Sequence, residues 1–336
     1  MKLEVSYKRI FYIAAPIMLG SAVQNVIALS DSIFLYHLSE EDFAAIGFVG
    51  VFYLIIAAIG YGFSKGGQIM IARRMGEGQI REVGRTFYAM VYFELGLALL
   101  MFFLMVFGCK WLFPWFVQSE VVLTKSLEYL DYRAWGVFFS YTGLAIIALY
   151  TGVARTWFII VDTLVLAGVN IFLNYGLIFG KMGLPAMGIA GAGLASTIAE
   201  IVAFAVFVLY ILFFDHLKAR RYYLFQVPKM DWALIRQQQT IASPVVAQSV
   251  VGIGSWFIFF SLVEKMGERP LAITNLVRIV YLILSIPAWG FASGTNTLVS
   301  NIIGQQDYGG VMKAVWKTAK LCLASTLIIS IPVILY

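Results

Sequence analysis

Apolar residues run through the chain in nine long stretches, near 10–35, 43–65, 84–108, 127–150, 157–180, 188–213, 238–263, 270–300 and 314–335. The hydrocarbon core of a bilayer is about 30 Å thick and an α-helix rises about 1.5 Å per residue, so about 20 mostly apolar residues cross it. Each stretch meets that length and predicts one spanning helix. A barrel would show short strands of alternating polarity instead, and only helices or closed barrels pair every backbone polar group inside lipid. The pattern defines an all-α integral membrane protein, a polytopic helical bundle. The opening stretch is too long for the apolar core of a secretory signal and carries Gln24, Asn25 and Asp31, so it is expected to stay as the first span.

The stretches repeat. A shift of 228 residues aligns Ala14 with Ala242 and Pro16 with Pro244, and the match runs on without a gap through Ala44 and Ala272, Val49 and Val277, and Tyr53 and Tyr281. It continues through Gly62 and Gly290, Gly66 and Gly294, and Gly76 and Gly304. Six spans separate the copies, so both start on the same side of the membrane and the repeat is parallel, with its axis along the membrane normal. The implied organisation is a six-helix lobe over 1–213, a cytoplasmic loop between the lobes over 214–236, and the first three helices of a second lobe over 237–336. A second copy as long as the first needs three more helices than the nine that precede Tyr336.

Composition sharpens the class. The chain is 61% hydrophobic and 12% charged, with mean hydropathy +0.86, whereas a soluble domain is about 45–50% apolar and about 25% charged. The net charge of +6 does not point to nucleic acid, because Lys and Arg are sorted by loop. Residues such as Lys8, Arg9, Arg73, Arg74, Arg81, Arg85, Arg155, Arg220 and Arg221 fall on one side, and Lys110, Lys125, Lys181, Lys265 and Arg269 on the other. By the positive-inside rule the first side, with the N-terminus, is cytoplasmic. Cys109 and Cys322 have no metal-type spacing and read as packing residues, and His37 and His216 fall between spans. No HExxH pair is present, the GxSxG pattern at Gly62 to Gly66 lies within an apolar helical stretch and not at the strand-to-helix turn a nucleophile elbow needs, and no GxxxxGK[ST] phosphate loop marks ATP as an energy source. The expectation is neither an enzyme nor a cofactor protein.

Polar residues inside the spans carry the chemistry, because a charge at the bilayer centre costs about 2.5–3.5 kcal/mol or more. Asp31 lies near the far end of the first span, in the outer half of the bilayer. Asn170 and Asn174, one helical turn apart on the fifth span, reach the same depth, and Thr197 on the sixth descends to it. Such a cluster holds a proton on a desolvated Asp31, or binds Na⁺ through carboxylate, amide and hydroxyl oxygens. Asn and Thr also serve simply as interhelical glue. Gln24, two turns below Asp31, is placed on the same cavity. Glu94 and Glu200 are expected to be solvated by a central cleft or to partner Arg278, for which Glu264 at the outer end of the seventh span is the other possible partner, and Asp162 is expected to reach water at the cytoplasmic end. Asn275, Arg278 and Tyr281 form a polar stripe on the eighth span, with Tyr53 as the repeat equivalent of Tyr281; these, with Gln24 and Glu200, are the candidate cavity or substrate residues.

The chain resembles the multidrug and toxic compound extrusion (MATE) transporters. The matching pieces are the stretch from Pro16 to Asp31, AAIG at 44–47, MGEGQ at 75–79, VNIFLNYGLIFG at 169–180, GIAGAGLAST at 188–197 and the second glycine-ended loop IIGQQ at 302–306. The resemblance implies a two-lobed MATE-like fold of twelve helices, nine of them present here, in a monomer of the bacterial inner membrane. It implies a secondary antiporter that exports small organic cations in exchange for H⁺ or Na⁺. Asp31, Asn170, Asn174 and Thr197 match the family's coupling positions, although position 174 can be Asp in the family and is Asn here, which favours a proton over Na⁺. Gly252 stands where some members carry a Glu after the seventh-span proline. The nearest alternative is a flippase for a lipid-linked saccharide or peptidoglycan precursor, and a sustained channel of Arg and Lys inside the lobes would mark it.

Overall fold

The structure is a computed structural model that describes residues 3–264 and 268–335, apart from some side chains between 257 and 279 and beyond 331. Its described residues form helices and turns with no strand. The helices are α1 (Tyr7–Tyr36), α2 (Glu40–Glu77), α3 (Ile80–Trp115), α4 (Glu120–Arg133), α5 (Gly136–Gly152), α6 (Trp157–Phe179), α7 (Gly188–Phe214), a short α8 (His216–Arg221), α9 (Trp232–Glu264), α10 (Glu268–Gly304) and α11 (Tyr308–Leu335). Each of the nine apolar stretches falls within helix, the fourth being shared by α4 and α5. Six described helices are long and apolar enough to cross a bilayer, and the α4–α5 pair, bent by 56°, makes a seventh.

Local chemistry sets the helix ends. Ser6, Ser39 and Ser119 sit at N-caps with extended backbone, and their side chains accept from Arg9, Asp42 and Val122 backbone N–H groups that lack an intrahelical partner. Glycine closes two helices where the chain must turn left-handed: Gly78 after α2 has φ 78° and Gly180 after α6 has φ 65°. Both α1 and α9 carry a proline inside the helix, Pro16 and Pro244, at equivalent repeat positions.

The repeat is visible as reciprocal packing. A Cβ placed on Gly62 of α2 would lie 2.7 Å from Val246 of α9, and one on Gly290 of α10 would lie 3.2 Å from the Met18 backbone nitrogen of α1. Gly66 faces Ala242 at 3.0 Å, and its counterpart Gly294 faces Ala14 at 3.6 Å. Each contact is therefore made twice with the roles of the copies exchanged, the signature of a two-fold relation. Two residues meet their own equivalents, as only residues on that axis can. Lys65 hydrogen-bonds Ser293, and a Cβ on Gly76 would lie 3.1 Å from the Gly304 Cα.

All of these contacts lie toward the N-terminal ends of α1 and α9 and the C-terminal ends of α2 and α10. The opposite ends of the same helices hold exposed apolar residues, including Leu29, Leu54, Val251 and Val277, and a Cβ on Gly47, Gly50, Gly252 or Gly254 would meet nothing within 4 Å. The four central helices converge at the end that carries the N-terminus and splay at the other. Segment 214–236 is tied back along α3: Tyr92 donates to the Pro228 carbonyl (2.8 Å) and Arg85 pairs with Asp231 (3.1 Å). Arg155 and Tyr150 both hold Asp215 at the base of α7, at 2.6 and 3.0 Å.

Candidate functional site: a hydrogen-bonded chain from Asp31

Helices α1 and α6 run parallel and in register. Gly20 approaches the Thr163 hydroxyl, with a Cβ there 3.5 Å away, and eleven residues further along each helix Asn174 meets Asp31. The small residue lets the backbones close up at one level, and the polar pair sits at the next.

There the Asn174 amide Nδ2 donates to Asp31 Oδ1 at 2.5 Å and to Asn170 Oδ1 at 3.1 Å. Asn170 Nδ2 in turn donates to Ser196 Oγ on α7 at 3.0 Å. Asn170 and Asn174 are buried, with Asp31 partly exposed at the mouth of the group. The result is a continuous hydrogen-bonded chain from the α1 carboxylate through two amides to a hydroxyl on α7. One atom in it is left over: Asn174 Oδ1 is buried with no partner among the described residues.

Three of the four expected coupling residues thus come together. The fourth, Thr197, lies one residue beyond Ser196 and points the other way, donating to the Tyr132 carbonyl at 2.9 Å. The hydroxyl that joins the amides is Ser196, which sequence reading passed over because a serine in a run of small residues carries no distinguishing pattern.

A second buried group stands beside the first. Arg133, at the end of α4, makes a two-pronged ion pair with Glu200 of α7 at 2.6 and 2.5 Å, and its guanidinium lies 3.9 Å from the Tyr53 ring centroid on α2. Gly136 leaves the space, since a Cβ there would fall 2.5 Å from Glu200 and 3.0 Å from the Thr197 hydroxyl. Glu200 is therefore neutralised within its own six-helix set and does not reach Arg278. Arg133 was invisible as a site residue because its partner lies 67 residues away on another helix.

The remaining candidates are dispersed. Gln24 is exposed, two turns below Asp31. Arg278 is exposed, and Tyr281 is half exposed with its ring 5.4 Å from that of Trp256. The side chains of Asn275 and of Glu264 lie outside the described residues. Contrary to expectation, Glu94 and Asp162 are not solvated: they are 0% and 4% exposed, and both Glu94 oxygens and Asp162 Oδ1 lack a hydrogen-bond partner among the described residues. Packing of α3 and α6 against their neighbours shuts water out at those levels.

Membrane-crossing helices with reciprocal packing of repeated segments, and a polar chain buried among them, define a polytopic helical membrane protein. The MatE family model matches residues 16–176 and 244–336, and the chain belongs to the MatE family. Curated relatives include two proteins named "Probable multidrug resistance protein NorM". That of Synechocystis sp. is 25% identical over 99% of this chain and 72% of its own length, and that of Bradyrhizobium diazoefficiens is 24% identical over 96% and 69%. Among solved structures, a multidrug resistance MATE family transporter in an outward-facing conformation superposes with TM-score 0.85 at 20% identity, covering 94% of this chain and 69% of that one. A MOP superfamily transporter from Pyrococcus furiosus, described as having a binding pocket of reverse polarity, superposes with TM-score 0.81 at 19% identity over the same shares.

Proposed function

We propose that the protein is a secondary antiporter that exports small organic cations, with Asp31 as the group that exchanges a proton for cargo. The observation that carries this reading is the chain Asp31–Asn174–Asn170–Ser196. Its relatives' name, multidrug resistance protein, supports export of drug-like compounds as the cargo class.

The chain favours H⁺ over Na⁺ on chemical grounds. A sodium ion needs several oxygens converging on one point, but here the Asn174 NH₂ group occupies the space between the Asp31 and Asn170 oxygens and spends both of its protons on them. A proton needs no such space. A protonated Asp31 becomes a donor, and rotation of the Asn174 amide turns Oδ1 toward it. Asn170 then donates to Asn174, and Ser196, whose hydroxyl both gives and accepts, donates to Asn170. The whole chain reverses its polarity, so protonation on α1 is transmitted to α7 without any residue leaving its place. The Arg133–Glu200 pair balances its own charge, which leaves Asp31 as the one titrating charge of this group: anionic and open to an organic cation, or neutral and closed to it.

The arrangement does not favour the flippase alternative, since Arg133 is spent on Glu200 and Lys65 is buried between helices rather than lining an open channel. The test is efflux of a fluorescent organic cation from liposomes containing the purified protein. Collapse of the proton gradient stops it under this reading, and a sodium gradient alone does not sustain it; efflux driven by sodium alone refutes the proton assignment.

A further inference from the structure

The two-fold axis passes through a buried cation. Lys65 of α2 is 6% exposed, and its ammonium donates to Gln68 Oε1 at 2.8 Å and to Ser293 Oγ of α10 at 2.7 Å, with the Tyr61 ring centroid 4.3 Å away. Gln68 extends the group across the seam, donating to the Ser293 carbonyl at 3.1 Å and to Thr297 Oγ1 at 2.9 Å. Each of these acceptors is neutral, and no carboxylate pairs with Lys65 among the described residues. The seam around it is packed backbone to backbone: Gly66 against Ala242 and the Gln238 carbonyl, Gly76 against Asn301 and Gly304, and Gly304 against Arg73.

Two opposed effects meet here. Glycine-lined helix crossings hold tightly in a membrane, because close backbone approach maximises dispersion contacts. An ammonium ion without a counter-charge in the same seam is penalised, because neutral acceptors return only part of the lost hydration. Parting the two halves at this level lets water reach Lys65 and removes that penalty, whereas it gains nothing for the glycines. The repeat equivalent is Ser293, so the charge is present once and sits where the halves separate.

We infer that Lys65 is the release element of the closed end: its uncompensated charge keeps the glycine-packed seam between α2 and α10 metastable, so that the halves can part there. It acts as a positioning residue on the equilibrium between closed and parted seams, whatever the coupling ion or cargo.

Gly294 provides the reporter. It is buried beside Ser293, and a Cβ there meets only ordinary contacts at 3.6 to 3.7 Å, all with Ile13 and Ala14 of α1 in the opposite half, so the β-carbon of Gly294→Cys is accommodated where the halves meet. In a background with Cys109→Ala and Cys322→Ala, the protein in lipid nanodiscs is reacted with a soluble maleimide across a pH series, and the rate at position 294 on the high-pH plateau, where the thiol is fully ionised in every variant, reports how often the seam parts. Lys65→Met, which keeps the bulk and removes the charge, is expected to slow labelling by roughly tenfold or more, and Lys65→Arg to stay within about threefold. Ser293→Asp, which supplies the missing counter-charge and leaves Lys65 in place, is expected to slow it as well, and it decides the matter alone if Lys65→Met does not yield monodisperse protein. Unchanged or faster labelling in Lys65→Met, or in Ser293→Asp where that variant decides, overturns the inference and makes Lys65 a clasp instead.

Discussion

Replacing Asp31 by Asn preserves shape and removes the titrating group. The variant is expected to insert in the membrane normally and to lose proton-driven efflux, as measured by dye release from liposomes at matched protein content. Asn174→Asp adds a second carboxylate where the amide now sits between two oxygens, so it is expected to make efflux respond to sodium. Unchanged ion dependence in that variant would show that the residue at 174 does not choose the ion. Arg133 and Glu200 act as a unit. Losing one partner strands a buried charge, so Arg133→Gln or Glu200→Gln is expected to cost about 3–5 kcal/mol, while the double change Arg133→Met with Glu200→Leu costs much less. Unfolding midpoints of the three variants in detergent check this. Asp31, Asn170 and Asn174 could be read from the sequence because a carboxylate and a one-turn amide pair stand out against apolar neighbours. Ser196 and Arg133 could not, since their roles depend on which helix face meets which partner.

At the scale of helices, the apolar runs were legible because spanning length is fixed by bilayer thickness, and the repeat because glycines and proline recur at one shift. What the runs hid was direction within the plane: the sequence placed Thr197 at the right depth but could not say that it turns toward the Tyr132 carbonyl while Ser196 turns toward Asn170. Nor did it separate α4 from α5, whose 56° bend brings Arg133 inward at the junction. The close crossing of α2 and α10 rests on the absence of side chains. Gly76→Val would drive its side chain into the Asn301 carbonyl and Gly304, and is expected to destabilise the bundle by about 1–3 kcal/mol, the usual cost of overpacking. The equivalent change at Gly50, where a Cβ meets nothing within 4 Å, is expected to leave the unfolding midpoint unmoved, and a drop there equal to that of Gly76→Val would contradict the assignment of the seam.

Over the whole molecule, the reciprocal contacts among the described residues lie at the end bearing the N-terminus, while the chain from Asp31 lies toward the splayed end. The central claim is that proton and cargo compete for one carboxylate, which linkage makes measurable in either direction. The most direct measurement is proton release when an organic cation is added to purified protein in weakly buffered solution near the midpoint of Asp31 titration. The account predicts about one proton released per cation bound, and none from Asp31→Asn. Proton release by Asp31→Asn equal to that of the unaltered protein would contradict it.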